Sequence, residues 1–65
     1  MGKSDLLDMT LHLHFKTDKS IKVSDDGDED NAVWLPLSQI ELEPKGGALV
    51  EVTLPEWLAI EKGLV

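Results

Sequence analysis

Two stretches near the start of the chain alternate strictly between apolar and polar residues, and this pattern constrains the fold more than any other feature. The stretches are Thr10–Lys16 (TLHLHFK) and Ser20–Ser24 (SIKVS). Their apolar members fall at every second position: Leu11, Leu13, Phe15, Ile21 and Val23. A period of two over this length is typical of a β-strand with one buried face. The pattern therefore predicts an antiparallel hairpin.

The pairing of these two strands follows from the requirement that their apolar faces match. A slip of one residue would move a whole apolar set to the other face of the sheet. Matching the faces sets Phe15 opposite Ile21 and Leu13 opposite Val23, with residues 17–19 as the loop.

A second hairpin is predicted downstream by the same argument. Leu42 is expected opposite Val50 and Ile40 opposite Val52, which leaves a three-residue loop ending at Gly47. Loops of this length favour a residue with positive φ in their last position, and glycine adopts that conformation without steric cost.

Between the hairpins lies VWLPLSQIEL, the most apolar stretch of the chain. Residues 33–37 are apolar at every position, which predicts a strand covered on both faces. Pro36 has no N–H to donate, so its position is expected at a sheet edge, a bulge or a corner. We expect Trp34 to lie in the core at a strand corner, because buried aromatic rings dominate small cores. The alternative is that Trp34 and Pro36 are presented to a partner.

The end of the chain has helical spacing. Pro55 suits the first turn of a helix, and Gly63 suits its end. The apolar residues at helical spacing are Trp57, Ile60 and Leu64. A helix over residues 55–62 is too short to be stable alone. It is therefore expected to dock on the sheet through Trp57.

Together these elements predict a mainly β (α+β) fold: a small antiparallel sheet of about five strands, curled towards an SH3/OB-like barrel, with one short C-terminal helix. Residues 1–9 are expected to form a flexible N-terminus. Residues 10–65 are expected to form a single domain that includes an acidic loop at 25–31.

The chain has 65 residues and no cysteine, so no disulfide can support so small a core. Efficient packing or self-association must then stabilise the fold.

Acidic residues dominate the charge of the chain, which is −7 in total. Five of them are concentrated in the acidic loop: Asp25, Asp26, Asp28, Glu29 and Asp30. This composition predicts a mobile, solvated loop. The second hairpin places Glu41 opposite Glu51, which makes its outer face acidic as well. Without a basic stripe, direct binding to nucleic acid or to an anionic membrane is not expected, and the N-terminus predicts a cytoplasmic protein.

Few residues in the sequence suggest a catalytic or metal-binding role. His12 and His14 lie two apart on a strand and could supply two metal ligands, but a catalytic zinc site needs three protein ligands. We expect both histidines to be solvated. The acidic loop lacks the glycine and glutamate spacing of a calcium loop. No nucleophile or phosphate-binding motif is present in the sequence. Neither an enzyme nor a cofactor is expected.

The second half of the chain resembles a group of small bacterial and prophage-encoded proteins of unassigned function. They share a W-[IL]-P-x-S-x-[IV] element and a P-E-W-L-A-x-x-K-G-[LI] tail. The matching positions are Trp34, Leu35, Pro36, Ser38, Ile40, Pro55, Glu56, Trp57, Leu58, Ala59, Lys62, Gly63 and Leu64. The match covers residues 21–65, and the acidic loop looks longer than is typical. The resemblance implies a stand-alone small β-domain and no particular activity.

Three functions are compatible with these features. The first is a non-enzymatic module of prophage origin that binds another protein, or itself, through a sheet edge or through Trp34 and Pro36. The second is an acidic mimic of nucleic acid that inhibits a DNA-binding protein. The third is a metal-binding accessory protein that uses His12 and His14.

Overall fold

The computed structural model describes residues 5–65. Five strands and one helix follow in order: β1 (Leu6–Lys16), β2 (Ser20–Ser24), β3 (Val33–Pro36), β4 (Glu41–Gly46), β5 (Leu49–Pro55) and α1 (Glu56–Glu61). Short 3₁₀ turns at Glu29–Asn31 and Leu37–Gln39 flank β3.

The strands form one antiparallel sheet in the order β3-β2-β1-β5-β4. The prediction of a mainly β fold with five antiparallel strands and a short C-terminal helix is confirmed. Within residues 5–65 the two outermost strands, β3 and β4, do not pair with each other, so the sheet is open. The sheet therefore keeps two edges.

The central strand is longer than the sequence pattern predicted. It begins at Leu6 rather than at Thr10, so the expected flexible N-terminus of residues 1–9 is wrong for residues 6–9. This extension pairs with β5, where Leu7 lies opposite Leu54 and Met9 opposite Val52. The strand thus extends upstream of Thr10 because its apolar residues there pack beside the apolar residues of β5. Residues 1–4 lie outside the described residues.

A β-bulge changes the pairing of the first hairpin. Leu13 lies opposite Val23 as predicted, but Phe15 lies opposite Lys22 instead of Ile21. The register shifts between Leu13 and Phe15, where His14 is the additional residue. A bulge adds one residue to one strand and so moves the following side chains to the opposite face. Phe15 therefore leaves the core face that its alternation had assigned to it.

The second hairpin is displaced by two residues from the predicted register. Leu42 lies opposite Val52, and Glu43 rather than Glu41 lies opposite Glu51. Gly46 pairs with Leu49, so a two-residue turn at Gly47 and Ala48 replaces the predicted three-residue loop, and a further irregularity between Pro44 and Gly46 shifts the register by one residue. A shift of two keeps the same residues on the same face, so the outer face of this hairpin is acidic as predicted. Gly47 has a φ of +55°, which confirms the predicted positive φ.

The core lies on one face of the sheet, which we call the inner face, and its buried side chains within residues 5–65 are aliphatic. Its buried apolar residues are Leu11, Ile21, Val23, Leu35, Val50, Val52, Leu54, Leu58, Ala59 and Leu64. The helix docks through Leu58 and Ala59, whereas Trp57 is 54% exposed, so the predicted docking by Trp57 is wrong. Backbone bonds from Gly63 to Ile60 and from Leu64 to Ala59 end the helix and fold Leu64 back into the core.

Candidate functional site

Strand β3 places two neighbouring residues on opposite faces of the sheet. Leu35 lies opposite Ile21 and is completely buried in the inner face. Trp34 lies opposite Lys22 on the other face, which we call the outer face, and is 43% exposed. The prediction that Trp34 occupies the core is therefore wrong. Only one of the two residues can face the helix, since side chains alternate along a strand.

Phe15 joins Trp34 on the outer face. The bulge in β1 brings Phe15 opposite Lys22, and Lys22 lies opposite Trp34 on the next strand. The two aromatic rings meet edge to face, with centroids 6.1 Å apart and an interplanar angle of 78°. This geometry is favourable for aromatic rings, but Phe15 remains 58% exposed. We call these two residues the aromatic pair.

Phe15 was not among the candidate site residues predicted from the sequence. Its position in an unbroken alternation assigned it to the core, and only the bulge at His14 reverses that assignment. The residues around His14 do not differ in composition from those of an ordinary strand, so the sequence does not reveal the bulge.

Pro36 is the last residue of β3 and lies opposite Ser20. Because β3 is an outermost strand, the prediction of an edge position for Pro36 is confirmed. The chain then turns through Leu37–Gln39, and the Leu37 N–H donates to the carbonyl of Lys19 at 2.8 Å. This bond fixes the end of β3 against β2.

The acidic loop has a defined conformation, contrary to the predicted disorder. The Asp26 carboxylate accepts hydrogen bonds from the Asp28 N–H and from the Asn31 side chain, both at 2.9 Å. These two bonds lower the pKa of Asp26 below its ordinary value, and the bond from the Asp28 backbone has the larger effect. Asp28 in turn accepts from the Asp30 N–H and caps the 3₁₀ turn. Hydrogen bonds from aspartate side chains to the backbone thus order the loop, which has no hydrophobic core of its own.

Ser24 connects the acidic loop to the central strand. Its hydroxyl oxygen accepts from the Gly27 N–H at 2.9 Å and lies 2.8 Å from Nε2 of His14. Ser24 is fully buried, so its hydroxyl needs these partners. His12 lies opposite Ser24, as the predicted register required. Both histidines are half-buried beside the loop, so they are less solvated than predicted.

The histidines do not belong to a metal-binding arrangement in the part of the chain that the structure describes. No group of three or more histidine, cysteine, aspartate or glutamate residues is arranged there to hold a metal ion.

The outer face of β4 and β5 carries an acidic row. Glu43 lies opposite Glu51, and Glu41 lies opposite Thr53. Lys45 approaches Glu51 at 3.3 Å and offsets part of the repulsion. The Thr53 hydroxyl donates to Asp8 on the central strand, which extends the row to β1. The outer face therefore has an aromatic half at β3 and an acidic half at β4.

Comparisons of the chain with protein-family models, with curated proteins and with solved structures gave no match. The resemblance to small prophage-encoded proteins stays a prediction. In residues 5–65, no helix is both long and apolar enough to cross a membrane.

Proposed function

We propose that this protein is a non-enzymatic interaction module that binds a positively charged segment of another protein through the aromatic pair and the neighbouring edge of β3. The observation that carries the proposal is the placement of the aromatic rings. The chain contains one phenylalanine and two tryptophans, and all three are among its exposed residues. Burial of such rings would contribute more to a small core than any aliphatic side chain. Phe15 and Trp34 also lie against each other on the outer face, and the exposure of this pair favours a role in binding.

Charge supports a basic partner. The net charge is −7, and the acidic loop ends next to the start of β3. Glu29 reaches Lys22, directly beside Trp34, at 3.5 Å. Complementary charge raises association rates and selects against acidic partners. Interface centres are enriched in tryptophan, phenylalanine and arginine, which suits an aromatic pair that meets cationic side chains. We also propose a cytoplasmic location for the module, and a prophage origin on the resemblance alone.

The acidic row favours a second candidate function. Glu43, Glu51, Glu41 and Asp8 lie on one exposed face, where they could imitate nucleic-acid phosphates for a DNA-binding protein. In that case binding would depend on the acidic row and not on the aromatic pair.

A comparison of variants distinguishes the two functions. The protein would be used to capture partners from its source cells, and each partner would be identified, purified and titrated by calorimetry against the variants. For the proposed module, Trp34→Ala weakens binding at least tenfold, whereas Trp57→Ala, which truncates an exposed tryptophan on the helix, leaves it unchanged. The paired change Glu43→Gln and Glu51→Gln should have little effect. If that paired change abolishes binding and Trp34→Ala does not, the protein is an acidic mimic.

A further inference from the structure

The two edges of the sheet are protected to very different degrees. Exposed edge strands are templates for pairing with other chains, and proteins block them with charges, prolines and bulges. Strand β4 has all three, because it carries Glu41 and Glu43 on its outer face and Pro44 at an irregularity. Strand β3 has the sequence VWLP and no charged residue. Its only blocking residue is Pro36, at its end.

The hydrogen-bonding pattern of β3 identifies which backbone groups face outward. In an antiparallel ladder, hydrogen-bonded pairs alternate with pairs whose N–H and C=O groups point away. The bond from the Leu37 N–H to the Lys19 carbonyl fixes the phase of this alternation. Counting back along the ladder, Leu35 and Val33 bond to β2. The N–H and C=O of Trp34 therefore point outward.

Pro36 occupies the next outward-facing position. A residue with an N–H there would present a second free donor, and proline removes it. Trp34 is consequently the one residue of β3 that offers both an outward N–H and an outward C=O. The site for a further strand is centred on Trp34 and is short.

From this geometry we infer that the β3 edge binds an extended segment of a basic protein as an additional antiparallel strand, with an arginine or lysine directly opposite Trp34. The inference rests on the proposed function and specifies how its partner is bound. Directly opposite residues of paired strands point to the same face. The cation would then lie beside the Trp34 ring, where the π-system attracts it.

A second copy of this chain fits the edge less well. Each copy carries a net charge of −7, and the strand that it would contribute, VWLP, has no cation to place opposite Trp34. Lys22 does not compete for the same role, because it already pairs with Glu29. Charge complementarity therefore selects a basic segment over self-pairing.

Synthetic pentapeptides test the inference without a known partner. The probe is acetyl-Thr-Val-Arg-Val-Thr-amide, titrated into the full-length protein and followed by two-dimensional amide NMR. We expect the largest shifts at the Trp34 amide and indole and along β3. Replacing the central arginine by glutamate should weaken binding at least tenfold. Raised salt should weaken the arginine probe as well, because attraction between exposed charges is screened.

Backbone methylation of the probe isolates strand addition from side-chain contact. A methyl group on the arginine nitrogen removes the hydrogen bond to the Trp34 carbonyl and should weaken binding at least tenfold. A methyl group on the nitrogen of the valine that follows arginine points away from β3 and should have little effect. This second peptide is the matched control.

Several outcomes would overturn the inference. If Trp34→Ala abolishes probe binding but both methylated peptides bind as the parent does, the aromatic pair binds side chains only; the proposed function then stands and strand addition does not. Absence of binding at millimolar probe also refutes strand addition. If sedimentation shows a dimer that Trp34→Pro converts to monomer, a second copy occupies the edge.

Discussion

Truncation of two neighbouring residues in β3 should have opposite consequences. Leu35→Ala removes a side chain with no exposed surface from the core, and such changes cost about 2–5 kcal/mol. The whole stability of a domain of this size is about 3–5 kcal/mol. Leu35→Ala should therefore leave little folded protein at room temperature.

Trp34→Ala, by contrast, should leave the protein folded. The variant loses an edge-to-face contact with Phe15, which is worth about 0.5–1.5 kcal/mol. Partial burial against the strand adds a similar amount, so the total cost should be about 1–2 kcal/mol. A larger side chain is removed at a smaller cost, because 43% of the tryptophan surface already faces water.

Urea unfolding followed by far-ultraviolet circular dichroism measures both variants, and two-dimensional amide NMR reports whether each is folded in water. Trp57→Ala provides the control for removal of an exposed tryptophan that lies away from β3. A dispersed spectrum for Leu35→Ala together with a collapsed one for Trp34→Ala would refute the assignment of the two faces.

Three further perturbations test the acidic loop and the acidic row. The hydrogen bonds of Asp26 lower its pKa below the ordinary value, so these bonds should be complete above the pKa of an unperturbed aspartate, about 4. They should be lost as pH falls through the folded pKa, and the chemical shift of the Asp28 amide would report the loss. Gly27→Ala forces a φ of +84° on alanine and should cost roughly 1–2 kcal/mol in urea unfolding. Glu43→Gln removes the repulsion with Glu51 and should stabilise the fold by about 0.2–1 kcal/mol at low salt only. An Asp28 amide shift that does not change with pH would contradict the first prediction. An unchanged urea midpoint for Gly27→Ala would contradict the second, and a gain in stability for Glu43→Gln that does not depend on salt would contradict the third.

The strands could be predicted from the sequence because the apolar alternation is a direct consequence of strand geometry. The pairing of strands could be predicted only in part. Leu13 lies opposite Val23 as expected, but the bulge at His14 displaces the pairs beyond it, and the turn of the second hairpin is shorter than predicted. Neither a bulge nor a change of two in register alters the apolar alternation of the sequence. Matching of apolar faces therefore leaves both undetermined.

The position of Trp34 could not be predicted from the same pattern. Residues 33–37 are apolar at every position, so alternation does not distinguish the buried set from the exposed one. Their assignment depends on which face the helix covers, and that is decided by Leu58, Ala59 and Leu64 at the far end of the chain. The structure has the exposed position for Trp34, with 43% of its surface accessible; binding of a partner there stays a prediction.

Pro36 connects the local sequence of β3 to the proposed binding mode. A proline at any hydrogen-bonded position of β3 would break a bond to β2, whereas Pro36 stands at a position whose N–H would face outward. Its presence therefore weakens the edge for an added strand and leaves the sheet itself intact. Charged residues would protect an edge that binds nothing, as they do in β4. In β3 there is no charged residue, and Trp34 keeps both its N–H and its C=O facing outward. Pro36 and Trp34 together limit the added strand to a short segment. The contact with the Trp34 side chain would then be the main source of specificity for that segment.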